Sequence, residues 1–255
     1  MKIIGNLNKQ LIQKPYLHRI ELLERFYKML DDKEFVFVRP SCWSDPLENM
    51  IFNAKILKGG KPFEHPAKKS IYSQCWSFEG DSYALWQIYT TKSNDSGKVM
   101  RHKGIRITTH LEKLGQISKF NEGTFHYGLV DYMWKKDLVK LPNDAEFIKG
   151  LKIMKVSVAH LKTLLVKRKS YSYENEVRLL AVPGKSLIDK KNDDLCRVKI
   201  EPLKFITSLR LDPILTYQEF KHEKEKLIDK YGFKETQIKL STLNKSNKFI
   251  FDIGK

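Results

Sequence analysis

The chain has 255 residues, of which 41% are hydrophobic and 11% aromatic, and its 47 Lys and Arg residues against 30 Asp and Glu residues give a formal net charge of +17. This composition is that of a folded protein and excludes a largely disordered chain. No apolar run reaches the roughly 18 residues that a membrane-spanning helix needs. Gly5, Asn6 and Asn8 interrupt the apolar start, so we expect neither a membrane protein nor a secretory signal.

The first hundred residues contain two predicted helices and two predicted strands. Apolar residues at helical spacing predict the helices, and short β-branched and aromatic runs ended by breaker residues predict the strands. In chain order these are a helix over residues 15–32, a strand over 34–40, a strand over 71–78 and a helix that begins near Asp81. The polar stretches 53–70 and 90–104 are predicted loops.

The remainder of the chain is rich in predicted strands and ends with a charged helix. The strands are predicted over residues 104–109, 126–132, 152–158, 174–183, 196–203 and 208–213, and the helix over 216–233. No repeat of 20–50 residues is present, which argues against solenoids and propellers. This order predicts one α+β domain over residues 1–255, with a largely antiparallel sheet and with the helices 15–32 and 216–233 packed on it.

The cysteines and the charge indicate a compartment and a class of partner. Cys42, Cys75 and Cys196 are odd in number, widely spaced and without a zinc-binding pattern, which predicts reduced thiols in a cytoplasm and no metal site. The surplus positive charge attracts polyanions, so nucleic acid or an anionic nucleotide is one predicted partner. The alternative is a lysine-rich surface without a ligand, because the lysines are spread along the chain.

The first cluster of chemically interesting residues is RPSCWSDPLEN, residues 39–49. Its acidic residues Asp45 and Glu48 flank a proline turn and could simply begin a helix. The alternative is a ligand site, in which Arg39 holds a phosphate or carboxylate and Trp43 offers a stacking face.

The second cluster is KRKSYSYENEVRLLAVP, residues 167–183. Alternation along a strand would place Glu174, Glu176 and Arg178 on one face, which becomes apolar further along. Such a face suits the mouth of a cleft, and equally a ladder of ion pairs on an exposed edge. The basic residues 167–169 favour an anionic ligand or form a solvated turn.

A third, aromatic stretch lies between these clusters and includes Trp76, Trp86 and Tyr89. Most aromatic residues at this density belong to a core, although one that faces a cleft could stack on a base or a nicotinamide ring. The seven histidines have no metal-ligand spacing, and there is no P-loop, GxGxxG or GxSxG motif. These absences argue against the common hydrolase, kinase and dehydrogenase classes.

Together these stretches resemble a bacterial and phage family catalogued as domain-of-unknown-function family 2971. The similar segments cover about residues 30 to 215 and are FVRPSCWSDPLEN, YSQCWSFEGDSYALWQIYTT, GIRITTHLEKL, HYGLVDY, KRKSYSYENEVRLL and FITSLRLDP. Leu85 stands where the family usually has methionine, and the loop 92–103 is longer and more basic than the family pattern. That insertion leaves any substrate contact there open.

The resemblance implies a fold and an activity. The family layout is similar to that of ADP-ribosyltransferases, especially toxins that modify nucleic acid, which implies a split or curved sheet, NAD as the donor and no metal. Glu176 would match the late catalytic glutamate, Arg39 the early NAD contact, and Tyr89 or Trp86 the mid-chain aromatic. The predicted site comprises catalytic Glu176 and Glu174, NAD-binding Arg39, Trp43, Trp86, Tyr89, Arg168, Tyr171 and Arg178, and cleft residues Asp45 and Glu48. The acceptor would be nucleic acid or protein, in phage–host or toxin-type conflict.

Two other functions stay open at this point. Glu176-Val177-Arg178 resembles the E-x-K strand of restriction-type, metal-dependent nucleases, with Asp45 or Asp131 as a second ligand. Arginine departs from that pattern, because lysine can lose its proton and arginine effectively cannot. The third alternative is a non-catalytic protein that binds nucleic acid or a nucleotide.

Overall fold

The computed structural model describes residues 1–4, 15–43, 45, 47–49, 53–94 and 96–244. Its strands are joined in a ten-stranded sheet and three two-stranded sheets, with helices flanking the large sheet. The predicted single α+β domain with a mostly antiparallel sheet is confirmed. In the described part of the chain, no helix is long and apolar enough to traverse a bilayer.

The described residues form sixteen strands. They are β1 Lys2–Ile3, β2 Tyr16–Leu22, β3 Glu34–Val38, β4 Ile56–Lys58, β5 Lys61–Phe63, β6 Tyr72–Ser77, β7 Thr91–Ser93, β8 Val99–Arg101, β9 Gly104–His110, β10 Gly123–Leu129, β11 Asp131–Met133, β12 Val166–Arg168, β13 Glu176–Pro183, β14 Leu195–Lys199, β15 Ile206–Leu211 and β16 Ile238–Leu240.

Eight α-helices and several short 3-10 turns connect these strands in the same residues. The helices are α1 Leu23–Asp32, α2 Tyr83–Thr90, α3 Gly115–Phe120, α4 Lys135–Leu138, α5 Ala145–Leu151, α6 Val158–Thr163, α7 Pro202–Phe205 and α8 Tyr217–Asp229. The long helix α8 begins with a capping box, in which Thr216 and Glu219 satisfy each other's backbone N–H groups.

The large sheet divides at β6. Its main path runs β1-β10-β13-β6-β2-β9-β15-β16, while β3 pairs with both β6 and β14. Strand β6 meets β2 at His18↔Ser77 and meets β3 at Val38↔Ser73. Both β2 and β3 therefore lie on the same side of β6 and diverge from it, which leaves a wedge between them.

Side chains satisfy backbone groups that the divergence leaves without a strand partner. The Arg19 guanidinium donates to the carbonyl of Cys75 at 2.7 Å. The Gln74 amide donates to the carbonyl of Val36 at 3.1 Å. Buried carbonyls need such partners, so these two long polar side chains allow the sheet to stay open at this point.

The main core lies against β6 and β13 and is built around aromatic contacts. The Phe35 ring meets Trp76 and Phe205 edge to face, with ring centroids 5.9 Å and 5.0 Å apart. Strand β13 is buried from Glu176 to Ala181, as its long apolar run predicts. Because the start of β13 is buried in the centre of the sheet, its polar residues must be paired there.

The predicted helix over residues 15–32 is wrong in its first half. Residues Tyr16–Leu22 form β2 and pair in continuous register with β9 from Tyr16↔His110 to Leu22↔Gly104, and only Leu23–Asp32 is helical. Leucine, isoleucine and glutamate fit a helix locally, but seven pairs in the middle of a sheet outweigh that propensity.

Other predicted boundaries also change. The predicted strand 152–158 is wrong, because Val158 begins α6 and Ser157 caps it through His160. The predicted strand 196–203 ends at Lys199, and Pro202 starts a helix at its favoured first position. Both predicted loops contain hairpins, β4–β5 and β7–β8.

Candidate functional site

A cleft of about 530 Å³ opens beside β6, where β3 leaves the sheet. It brings together seven of the residues predicted from sequence. These are Trp43, Asp45, Glu48, Tyr89, Tyr171, Glu174 and Glu176. Residues that are up to 133 positions apart in sequence thus converge on one cavity, which supports a common role for the two sequence clusters.

The centre of the cleft is an ion cluster around Lys167. Its ammonium lies 2.9 Å from Glu48 Oε1, 2.8 Å from Glu174 Oε2 and 3.3 Å from Glu176 Oε2. The ammonium also lies 4.8 Å from the centroid of the Tyr171 ring. Lys167 is only 6% exposed, so it is neither the solvated turn nor the freely available cation that the sequence suggested.

Arg178 lies behind the cleft and binds two of these carboxylates, those of Glu176 and Glu48. Its Nε donates to Glu176 Oε1 at 2.9 Å, its Nη2 donates to Glu48 Oε2 at 2.7 Å, and its Nη1 donates to the carbonyl of Leu164 at 2.6 Å. The indole of Trp43 covers the guanidinium, whose carbon lies 4.2 Å from the ring centroid. Arg178 is completely buried, which places it behind the cleft and not on its surface.

A tight turn brings both Glu174 and Glu176 into contact with the ammonium of Lys167. Residues Lys169–Glu174 form a 3-10 turn after β12, and Asn175 then adopts φ = 43° before β13 begins. Asparagine tolerates this left-handed conformation better than most residues. The Glu176 N–H donates to the Tyr132 hydroxyl at 2.8 Å, which fixes the start of the strand. The predicted common face of Glu174 and Glu176 is therefore achieved by a turn.

The environment moves the pKa values of the two glutamates in opposite directions. Burial alone would raise the pKa of Glu176, but the charges and hydrogen bonds of Arg178 and Lys167 outweigh it and hold this pKa at about 2. Burial raises the pKa of Glu174 above its ordinary value, against the opposing effect of Lys167. Glu176 is thus held as a carboxylate, whereas the raised pKa of Glu174 makes this side chain easier to protonate than an ordinary glutamate.

The wall of the cleft offers aromatic faces to a ligand. Tyr89 on α2 lines it and is 39% exposed, and Tyr173 lines it and is 45% exposed. Cys75 also lines the cleft next to Glu176, and burial raises the pKa of its thiol, so it stays protonated. A cavity with flat aromatic sides and two glutamates in its floor suits a ligand that has a ring and hydroxyl groups.

Arg39 lies outside the residues that line the cleft. Its guanidinium bonds to Asp194 and Asp193 at 3.0 Å each and to the Tyr72 hydroxyl at 3.0 Å. Arg39, which follows β3, therefore binds a loop more than 150 residues later in the chain and is not placed to contact a ligand in the cleft.

Trp86 and Arg168 also differ from their predicted positions. Trp86 is completely buried and donates from its indole N–H to Asp81 Oδ1 at 3.0 Å, so it has no exposed face for stacking. Of the two aromatic alternatives on α2, Tyr89 is the one that reaches the cleft. Arg168 Nε donates to Asp45 at 2.9 Å and its Nη2 to the Tyr171 hydroxyl at 3.1 Å, which fixes the rim.

His18 is a site residue without a sequence signal. It lines a small pocket that shares Cys75, Tyr89, Glu174 and Glu176 with the cleft. Its Nδ1 lies 3.0 Å from the Thr108 hydroxyl. Burial, and then the charges of nearby arginines, lower the pKa of His18 to about 4, so the imidazole is neutral at pH 7.

The depressed pKa of His18 predicts a loss of stability in mild acid. An unfolded histidine binds a proton near pH 6.5, whereas His18 in the folded state does so only near pH 4, so acid favours unfolding within this window. Between pH 6.5 and 4 the free energy of unfolding falls by as much as about 3 kcal/mol from this group. Urea unfolding across this range measures the effect.

The variant His18→Asn should reduce that pH dependence, because asparagine keeps a hydrogen-bonding group near Thr108 but does not titrate; His160, whose pKa is also lowered to about 4, keeps its own share. The matched control His222→Asn changes an exposed residue of α8 and should keep the wild-type pH dependence. Equal pH dependence in wild type and His18→Asn would contradict the expectation.

Comparisons of the chain with protein-family models, with curated proteins and with solved structures found no match. The resemblance to family 2971 and to ADP-ribosyltransferases therefore stays a prediction that rests on the residues quoted for it. Among the described residues, no group of three or more His, Cys, Asp or Glu side chains is arranged to hold a metal ion.

Proposed function

We propose that the cleft binds a nucleotide donor of the NAD type and transfers its ADP-ribosyl group. The observation that carries the proposal is the pair Glu174 and Glu176, which contact one ammonium and have pKa values displaced in opposite directions. Neighbouring acids that differ in this way are the usual basis of a division of labour between a charge stabiliser and a proton acceptor.

The residues present fit one end of such a donor. Tyr89 and Tyr173 provide exposed faces for a nicotinamide ring, and Glu174 provides oxygens for ribose hydroxyls. The pyrophosphate end has no assigned partner, because Arg39 is bound by Asp193 and Asp194. Of the predicted arginines, Arg168 stays partly exposed beside the cleft, where it pairs with Asp45, so an anionic group there would share its guanidinium with Asp45.

Each charged residue of the cluster has a distinct proposed role. Loss of nicotinamide from the donor leaves positive charge on the ribose. Glu176 is held ionised and supplies fixed negative charge to the floor of the cleft. Glu174 accepts the proton that the acceptor loses as its oxygen or nitrogen atom bonds to the ribose carbon that nicotinamide has left. Lys167 positions both carboxylates, and Arg178 positions Glu176 and Glu48.

The alternative function, a metal-dependent nuclease, requires a divalent ion bound by the same carboxylates. The ammonium of Lys167 already contacts Glu48, Glu174 and Glu176, so an ion at that point would have to displace it. Asp131, the other ligand considered, is exposed and does not line the cleft. Chelation separates the two activities, because carboxylate-bound magnesium is removed by EDTA.

The setting of this activity is part of the same proposal. We place the protein in a cytoplasm, in phage–host or toxin-type conflict, with nucleic acid or protein as the acceptor. Three free cysteines support the compartment.

The donor site is tested by calorimetric titration of NAD into the protein in EDTA. We expect saturable binding that Tyr89→Ala weakens at least about fivefold, because loss of one ring-stacking contact costs about 1 kcal/mol or more. Tyr83→Ala is the matched control, since Tyr83 is an exposed tyrosine of the same helix that does not line the cleft. Absence of NAD binding, or equal effects of the two variants, would count against the site. Binding or turnover that needs magnesium would favour the nuclease.

A further inference from the structure

Positive charge is concentrated in the connection between β11 and β12. Residues 135–169 contain ten Lys and Arg residues against three acidic residues. About two fifths of the net charge of +17 therefore lies in about one seventh of the chain. We call residues 134–169 the basic segment.

Both ends of the basic segment lie beside the cleft. Strands β11 and β12 are parallel, with Met133 opposite Arg168, so Trp134 and Lys169 follow at the same end of this strand pair. Tyr132, two residues before Trp134, accepts the hydrogen bond from the Glu176 N–H. At the other end, the Arg168 guanidinium lies 5.2 Å from the Tyr171 ring, and Tyr171 lines the cleft. Each end of the segment is therefore within two residues of a tyrosine that contacts Glu176 or lines the cleft.

An exposed indole stands among the cations at this point. Trp134 is 63% exposed, whereas Trp76 and Trp86 are buried. Lys135 and Lys136 follow Trp134 in the chain, and Lys169 follows Arg168, the residue paired with Met133. All three lysines are exposed and have no ion-pair partner among the described residues. Single exposed aromatic residues are common on protein surfaces, so it is the lysines accompanying Trp134 that distinguish this one. An open aromatic face surrounded by unpaired lysines is the arrangement that stacks an unpaired base and holds its phosphates.

We propose that the basic segment binds single-stranded nucleic acid, with Trp134 as a stacking platform and with Lys135, Lys136 and Lys169 at the phosphates. The bases of a duplex are stacked on one another and are not open to the indole, so a single strand is the better fit. As the acceptor of the transfer reaction the strand would run from the segment into the cleft, and this part of the inference rests on the proposed function.

The test is fluorescence anisotropy with a labelled oligothymidylate of about 16 nucleotides, in EDTA and without NAD. We expect Trp134→Ala to weaken binding at least about fivefold. The double variant Lys135→Ala/Lys136→Ala should weaken binding and reduce the slope of log affinity against log salt by about 1.4, as expected for two lost phosphate contacts on a single strand.

Two control variants remove the same kinds of side chain from positions outside the basic segment. Lys190→Ala/Lys191→Ala removes an equally exposed pair of neighbouring lysines, and Tyr217→Ala removes an aromatic ring that is 75% exposed on α8. Both should bind the oligonucleotide more tightly than their counterparts in the basic segment, and Tyr217→Ala should match wild type.

Two results would overturn the inference. One is that the segment variants and their controls bind the oligonucleotide equally. The other is that Trp134→Ala and the Lys135/Lys136 variant lose binding to phosphatidylserine vesicles but not to the oligonucleotide. Since the assay contains no NAD, binding that depends on Trp134 supports the inference even if no transfer is found. ADP-ribosyl transfer without such binding would support the proposed function but rule out single-stranded nucleic acid at the basic segment as its acceptor.

Discussion

Arg178→Met is expected to lower the free energy of unfolding by about 3–5 kcal/mol, the range for breaking a buried ion pair by removing one partner. The substitution keeps the volume of the side chain but leaves Glu48, Glu174 and Glu176 to share the single charge of Lys167. It also leaves the carbonyl of Leu164 without its 2.6 Å donor. Urea unfolding at pH 7 measures the change.

The matched control for this prediction is Arg25→Met. Arg25 is an exposed arginine, and its ion pair to Glu21 is 3.7 Å long. Its replacement should change the free energy of unfolding by less than about 0.5 kcal/mol. If Arg178→Met proved as stable as this control, the carboxylates of the cleft would not depend on Arg178 for their position.

Glu174→Gln is expected to lower the rate of transfer by about 10²–10⁴ while the fold survives. The cluster contains the three carboxylates of Glu48, Glu174 and Glu176 and the two cations of Lys167 and Arg178, so neutralising Glu174 leaves two of each sign. Glutamine keeps the shape and one oxygen for Lys167 but cannot accept a proton. Initial rates together with melting temperatures separate loss of chemistry from loss of structure.

The control for this prediction is Glu79→Gln. Glu79 lines the small neighbouring pocket and accepts a hydrogen bond from Asn175 at 2.9 Å, but it does not contact Lys167. Its variant should retain most of the activity. A Glu174→Gln protein that is folded and as active as Glu79→Gln would show that Glu174 is not the proton acceptor.

The parts of the fold that the sequence predicts well have a strong local signal. Strand β13 follows from a long apolar run that ends at a proline, and α8 follows from apolar residues at helical spacing. The boundary between β2 and α1 has no such signal, because leucine and glutamate on both sides of Leu22 fit either structure. Pairing with β9, more than 80 residues later, decides it.

The candidate site likewise contains residues whose placement has a local sequence signal and residues whose placement has none. Glu174, Glu176, Asp45 and Glu48 line one cleft. Glu176 opens a buried strand, where a charged side chain must find partners, whereas Asp45 and Glu48 fit a helix start equally well from sequence. Burial of Lys167 has no local signal, since lysine is normally exposed and its carboxylates come from two distant segments. Trp86 and Tyr89 are three residues apart and therefore lie on nearly the same face of α2. Which of them reaches the cleft depends on how this helix packs on the sheet.

The decisive measurement is the release of nicotinamide from NAD in EDTA, with the oligonucleotide and with water available as acceptors of the ADP-ribosyl group, by the wild-type protein and by Glu174→Gln. We expect release by the wild type without any metal, and loss of release in a Glu174→Gln protein that melts at the wild-type temperature. No release by the wild type, or equal release by both proteins, would contradict the assignment of this cleft to ADP-ribosyl transfer.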